Sequence, residues 1–561
     1  MSFDSLPGEV CHEIFLLYLK ESFYKQCYGP YTDRKEPYTI SNHPTLFTSV
    51  CKHWTDVALS SPQLWTFMNI VVLNEPPSSG ESGVQFRPPL PIVQKSIQLS
   101  NNLPLSFSVI PWHDLVENTH AQAYNKCVKS MLDEVLVPHH ARWQRVTIHQ
   151  WPNLDMKFPF PFALDKTPTF PQLRQFTITT SPLPIDPPDR SFAQGVIHVM
   201  RNAPVLQNLG VEATVQDYFC DWTPASTPRA IAAAIPWKRL TTLNIYLGFM
   251  SATETLKLLE QSPNLESLAL PVKNQAPLQF GLLWLALPST LPHIPGPKIH
   301  HNRLRELSFS MADFLCCAAL LNHLTLPNLR SLFLPPDLAF PREDTGRGDL
   351  IKAVTNLVQR SNCQLRKLFY TTRIYDAPHR PEPVSTVALL QTVSSTLEEL
   401  SIRVHDFQDI AAALTVPTGR GGSVLCPRLR RMDIALKKTP NPLGIVEMIE
   451  SRSTPSAQLL GVAKLQMVGV TFTMGSEGLD ATDTLWNPRS PQILHDAVKR
   501  LRALALQEGV TDPSPNNPWP QVFRVTSQVH SEFYPMVEGC GDYVYLNTTL
   551  PEPDKVRFYP F

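Results

Sequence analysis

Three histidine placements, one glycine cluster and ten cysteines are where the residue types of this chain raise the question of chemistry. A zinc-binding helix needs two histidines four positions apart around a glutamate, so that both imidazoles leave one face. His12-Glu13 in "CHEIF" lacks the second histidine, and His139-His140 and His300-His301 are adjacent pairs whose side chains diverge. A phosphate loop needs Lys-Ser/Thr after its glycines, and "TGRGG" at 418–422 has none. No G-x-S-x-G nucleophile turn occurs. The cysteines show no C-x-x-C spacing, and Cys316-Cys317 is the only close pair, which fits neither a zinc site nor a secreted disulfide framework. The expectation is a non-enzymatic protein without metal or cofactor, in a reduced setting, cytoplasmic and/or nuclear.

Recognition is the chemistry that remains. A motif of the form P-x-L-x-x-L-x-L recurs along the middle of the chain, as in "PQLRQFTI", "PNLESLAL", "PNLRSLFL" and "PRLRRMDI". Its leading leucines are Leu173, Leu206, Leu240, Leu265, Leu304, Leu329, Leu365, Leu397 and Leu429, at spacings of 25 to 39 residues. Each copy alternates as a short strand does, and helical patterns stand between several copies. "SATETLKLLEQS" even carries a capping box, Ser251 with Glu254 three residues on. Helix-then-strand units at near-constant pitch predict parallel strands with helices behind them, stacked as one solenoid. In L-x-x-L-x-L the leucines point inward, so the residues alternating with them line the concave sheet face. Its later repeats gain charge and aromatics, and the candidate substrate-binding residues are Tyr246 in an earlier repeat and Phe333, Lys367, Phe369, Glu399, Arg403, Arg431 and Asp433 in the later ones. "PRLRR" (427–431) and "VKRLR" (498–502) read as a solvated repeat face and a solvated helix rather than as nucleic-acid patches.

The elements in front of the repeats are helical. "LPGEVCHEIFLLYL" places Pro7 in a first turn, Glu9 near the positive end of the helix dipole, and Val10, Ile14 and Leu17 on one stripe. "SVCKHWTDVALSSPQLW" gives Val50, Trp54 and Val57 a helical beat, then restarts at Ser61-Pro62 with Ser61 as the expected cap. So few short helices cannot bury their apolar faces alone.

Leu6-Pro7-x-Glu9-Val10, Ile14-Phe15, Val50-Cys51-Lys52-x-Trp54 and Leu64-Trp65 resemble an F-box of the form abundant in mushroom-forming fungi, with its "ALSSPQLW" ending. The resemblance implies that Leu6, Pro7, Glu9, Val10, Ile14, Val50, Trp54, Leu64 and Trp65 dock a Skp-type adaptor and, through it, a cullin. It departs from the family at 20–44, read as an exposed insert where an F-box has only a few residues. The repeats resemble the leucine-rich repeats found behind an F-box, but no Asn or Cys stands at the ninth repeat position, which implies an irregular horseshoe.

Composition bounds the rest. The chain has 561 residues, 49 basic against 49 acidic, so there is no global pull toward nucleic acid or anionic membrane. Hydrophobic residues make up 43%, which suits a globular chain, and 55 prolines imply many short elements joined at turns. No apolar run approaches the ~18 residues of a membrane span. The expected fold is α/β: an F-box-like helical head at 1–72, a connecting segment at 73–140, an irregular leucine-rich-repeat solenoid at 141–512 and an aromatic, Pro-rich tail at 513–561. The function the F-box resemblance implies is substrate recognition for an SCF ubiquitin ligase. The alternative is a repeat scaffold for protein interactions without a ligase role; an enzyme with its site in the tail is a third class, with no assignable residues.

Overall fold

A computed structural model describes residues 6–28, 43–74, 84–111, 121–150, 169–180, 198–213, 236–245, 251–272, 298–312, 314–334, 347–371, 383–404, 407–417, 424–436, 442–474, 500 and 523–529. The chain divides into two compact units, 1–248 and 249–561. Both are mixed α/β, each built on a sheet of mainly parallel strands.

The first unit begins with helices α1 (Gly8–Tyr28), α2 (Thr45–Thr48) and α3 (Lys52–Ser60) and a 3-10 turn, Pro62–Thr66. Its strands are β1 (Phe67–Asn74), β2 (Val84–Arg87), β3 (Leu105–Pro111), β4 (Trp143–Gln150), β5 (Gln175–Thr180), β6 (Asn208–Ala213) and β7 (Thr242–Ile245). Helices α4 (Leu90–Leu99) and α5 (Ala121–Met131) lie between β2, β3 and β4. The strand order is β2-β1-β3-β4-β5-β6-β7, antiparallel only between β1 and β2. The sheet therefore starts at Phe67, inside the stretch read as head, and the segment read as a connector at 73–140 supplies two of its strands.

The second unit orders its strands as β8 (Ser267–Val272), β10 (Glu306–Ala312), β12 (Ser331–Leu334), β13 (Lys367–Thr371), β14 (Glu399–Val404), β15 (Arg431–Leu436), β16 (Met467–Met474) and β17 (Phe523–Val529), parallel throughout. Strands β9 (Ile299–His300) and β11 (Leu324–Thr325) form a separate parallel pair. Helices Ala252–Gln261, Phe314–Asn322, Arg347–Ser361, Pro383–Val393, Gln408–Leu414 and Pro442–Ser453 each pack on the next in chain order. Strand β17 lies in the stretch read as tail and adds to the sheet instead.

All nine strands expected from the repeat start two residues after their leading leucine, and each of those leucines is 0% exposed. Within each unit the first strand residues stand side by side, Gln175 with Asn208 with Thr242, and Ser267 with Glu306, Ser331, Lys367, Glu399 and Arg431. A slip of one residue would turn every leucine to solvent, so burial holds this register. The expected capping box forms: the Glu254 N–H donates to Ser251 Oγ at 3.2 Å, and the Ser251 N–H to the Glu254 carboxylate at 3.0 Å. The ninth repeat positions 181, 214, 248 and 405 lie outside the described residues.

Arginines fasten successive layers. Arg142 donates to Leu103 O at 2.9 Å and Ser100 Oγ at 2.6 Å, just past the end of α4. Arg360 donates to Leu321 O at 2.8 Å and Leu324 O at 3.0 Å, around the end of helix Phe314–Asn322. Arg452, fully buried, donates to Leu414 O at 2.8 Å, at the end of helix Gln408–Leu414, and to Leu425 O and Cys426 O. A cation beside orphan C-terminal carbonyls satisfies acceptors and complements the helix dipole together.

Candidate interaction surfaces

In the first unit, α1 carries two apolar faces. Cys11, Phe15, Leu19 and Phe23 are buried and pack inward. Phe15 stacks on Phe47 of α2 with centroids 4.0 Å apart, and Trp54 of α3 meets Phe15 edge-on at 4.8 Å. The Trp65 indole N–H donates to Ala58 O at 2.8 Å, closing α3 onto the 3-10 turn. His53 Nε2 lies 3.1 Å from Leu6 O and donates to it, fastening the start of α1 to α3. Cys51 caps α3, its thiol accepting from the Trp54 N–H, whereas Ser61 makes no side-chain cap on the following turn.

The other face of α1 is apolar and open. Val10, Ile14 and Leu17 are 43%, 46% and 65% exposed, Tyr18 is exposed beside them, and Val50 adds another exposed apolar side chain before α3. Pro7 and Glu9 are exposed, and Leu6 and Trp54 are half-buried. Leu64 and Trp65 are 0% and 2% exposed. Both are packing residues beneath the surface of the described chain. The insert also needs correction: α1 runs on to Tyr28, and Phe23 sits edge-on to Phe67 at 5.7 Å. Residues 29–42 lie outside the described ones, and His43 at the far end is buried.

In the second unit, the candidate concave residues come together on β12 to β15. Phe333 and Phe369 stack with centroids 4.1 Å apart and planes 8° from parallel, both half-buried. Their neighbours in the same row are small: Ser308 on one side and Ser401 on the other. Lys367 Nζ lies 2.9 Å from one oxygen of Glu399, and Arg431 lies 3.4 Å from the other. One carboxylate thus ties two cations across three strands. The Ser401 hydroxyl donates to Asp433 at 3.4 Å. Tyr246 lies outside the described residues, and for Arg403 only the backbone within β14 is described. The sequence placed both phenylalanines on this face; their stacking is a product of cross-strand register.

Among the described residues, no group of three or more His, Cys, Asp or Glu is placed to hold a metal. His301 accepts from the Leu304 N–H at Nδ1 and donates from Nε2 to Ser262 O at 2.9 Å, a buried structural pairing, while His300 is exposed. Burial pushes the Cys363 and Cys426 thiols up to about 11, which keeps them protonated and poor nucleophiles. The glycine cluster at 418–422 lies outside the described residues. No described helix is long and apolar enough to cross a membrane.

No protein-family model and no curated protein matches this chain. Function must be read from the two surfaces themselves.

Proposed function

We propose that this chain is a non-catalytic substrate-recognition subunit of an SCF-type ubiquitin ligase, acting in the cytoplasm and/or nucleus. Its F-box-like head docks a Skp-type adaptor, which brings a cullin, and an irregular leucine-rich-repeat solenoid holds a protein substrate. One observation carries this: α1 buries Cys11, Phe15 and Leu19 while exposing Val10, Ile14 and Leu17. A helix already anchored by one apolar face has no folding reason to present a second, and exposed apolar patches mark interaction sites. The solenoid is supported by the in-register parallel strands and the helices packing in chain order. Holding a target near the ubiquitin-charged enzyme raises its effective concentration, so no active site is required of this chain.

Reconstitution with a purified Skp-type adaptor tests the head. Val10→Asp with Ile14→Asp abolishes co-purification while the melting temperature stays within a degree or so of wild type, because exposed positions contribute little to folding. Leu6→Ala with Pro7→Ala also abolishes it, with some loss of stability because Leu6 packs on the head's core. A wild-type chain that binds no adaptor leaves the repeat scaffold as the function.

A further inference from the structure

The residues just before β8, β10, β12, β13, β14, β15 and β16 form a row of their own, from Glu266 to Gln466. Arg305 donates its backbone N–H to Glu266 O, Arg330 to Arg305 O, Arg366 to Arg330 O, Glu398 to Arg366 O and Arg430 to Glu398 O. The row is therefore as regular as the sheet. Two residues upstream, Arg303 and Arg428 add exposed cations at the same strand ends. In a chain with equal numbers of basic and acidic residues, this edge carries six exposed arginines against two glutamates.

The pairing within the row is uneven. Arg305 lies 3.4 Å from the Glu266 carboxylate, and Arg366 lies 3.7 Å from Glu398. Arg330 and Arg430, like Arg303 and Arg428, have no carboxylate partner among the described residues. Within the row itself charge is left over at β12 and at β15 and is cancelled between them, and Arg303 adds a further unpaired cation beside β10.

We propose that this edge docks an acidic polypeptide segment lying extended across the strand ends, with carboxylates over Arg330 and over Arg430 and no acid between. Strands β12 and β15 are three spacings apart, about 14 Å at ~4.8 Å each, and an extended chain covers ~3.4 Å per residue. Acids about four residues apart therefore reach both arginines, each able to bind a carboxylate through two parallel N–H donors. Glu398 repels an acid placed in the middle, which gives selectivity by charge pattern as well as affinity by charge. A nucleic acid strand fits less well. No aromatic in the row offers a stacking platform, and two carboxylates interrupt what a phosphate backbone needs to be uniformly positive. The site goes beyond the adaptor reading, since it uses neither the head nor the concave face.

The test uses the full chain and fluorescein-labelled peptides read by anisotropy. One peptide carries a Glu pair at each end of a Ser-Gly-Ser centre; its isomer carries all the Glu residues together in the centre; oligo-dT is the third probe. The split peptide binds ~10-fold or more tighter than the isomer, weakens as salt rises from ~0.05 to ~0.5 M, and loses ~10-fold or more on Arg330→Glu with Arg430→Glu. Absent binding, equal binding of the isomers, unchanged affinity in the double variant, or tighter binding of oligo-dT each overturn the proposal. Adaptor co-purification by the same double variant stays at the wild-type level, so failure here is separable from failure of the adaptor reading.

Discussion

His43 shows how much one side chain can hold in the head. It is 5% exposed, and its Nδ1 accepts from the Thr45 N–H at 3.3 Å, so Nε2 carries the proton and donates to Ser96 Oγ at 3.1 Å. The neutral ring is satisfied where it lies, and burial lowers its pKa from 6.5 to about 4. Because the folded value is depressed, the unfolded chain binds more protons between these two values. The stabilisation is complete above pH 6.5 and is lost as pH falls toward 4. Lowering pH from about 7 to about 5 costs the head about 2 kcal/mol through this group. Denaturant melts of His43→Asn at both pH values show the reduced pH slope. The two tryptophans differ in the same currency. Trp65→Ala, at a 2% exposed site, costs about 3–5 kcal/mol, and Trp54→Ala, at a half-buried one, costs less. Urea midpoints rank the pair.

Neighbouring strands constrain one another at the level of elements. Gly210 on β6 stands beside Thr177 on β5, and a Cβ built at 210 comes within 2.9 Å of the Thr177 methyl. Glycine to alanine in a strand ordinarily stabilises by restricting the unfolded chain. Here the close contact reverses the sign: Gly210→Ala destabilises by about 1–3 kcal/mol. Adding Thr177→Ala recovers part of the loss, and a double-mutant cycle on thermal unfolding measures that coupling. The capping box predicts a smaller effect in the second unit. Ser251→Ala strands the Glu254 N–H and costs about 1 kcal/mol, read from urea unfolding.

At the scale of the whole molecule, elements within each unit contact mainly their neighbours in the chain, so damage stays local. Phe15→Ala removes the ring stacked on Phe47, and hydrogen exchange accelerates in α1 and α3 while β12 to β15 keep their protection. Leu368→Ala, at a 1% exposed position of β13, does the reverse. Simultaneous loss of protection in both units after either substitution would contradict the division at residue 248.

The repeat beat was legible because its cause is local. Strand side chains alternate, so a leucine pattern that must be buried dictates which residues start each strand and which row each neighbour joins. The nine strands and the shared sheet face of Phe333, Lys367, Phe369, Glu399, Arg431 and Asp433 followed from that alternation, and the Ser251 cap from its own local signature. What depended on distant partners did not. Both Trp54 and Trp65 look buried in sequence, and only the seating of α3 over Phe15 and Phe47 decides that Trp65 is core and Trp54 half-open. The length of α1 was missed because Phe23 is held by Phe67, more than forty residues away. The arginine row was invisible for the same reason: residues roughly thirty apart in the chain become neighbours only when strands pair. Local periodicity is set by backbone geometry and is carried by the sequence; which charges and rings meet is set by the tertiary pairing of strands and helices.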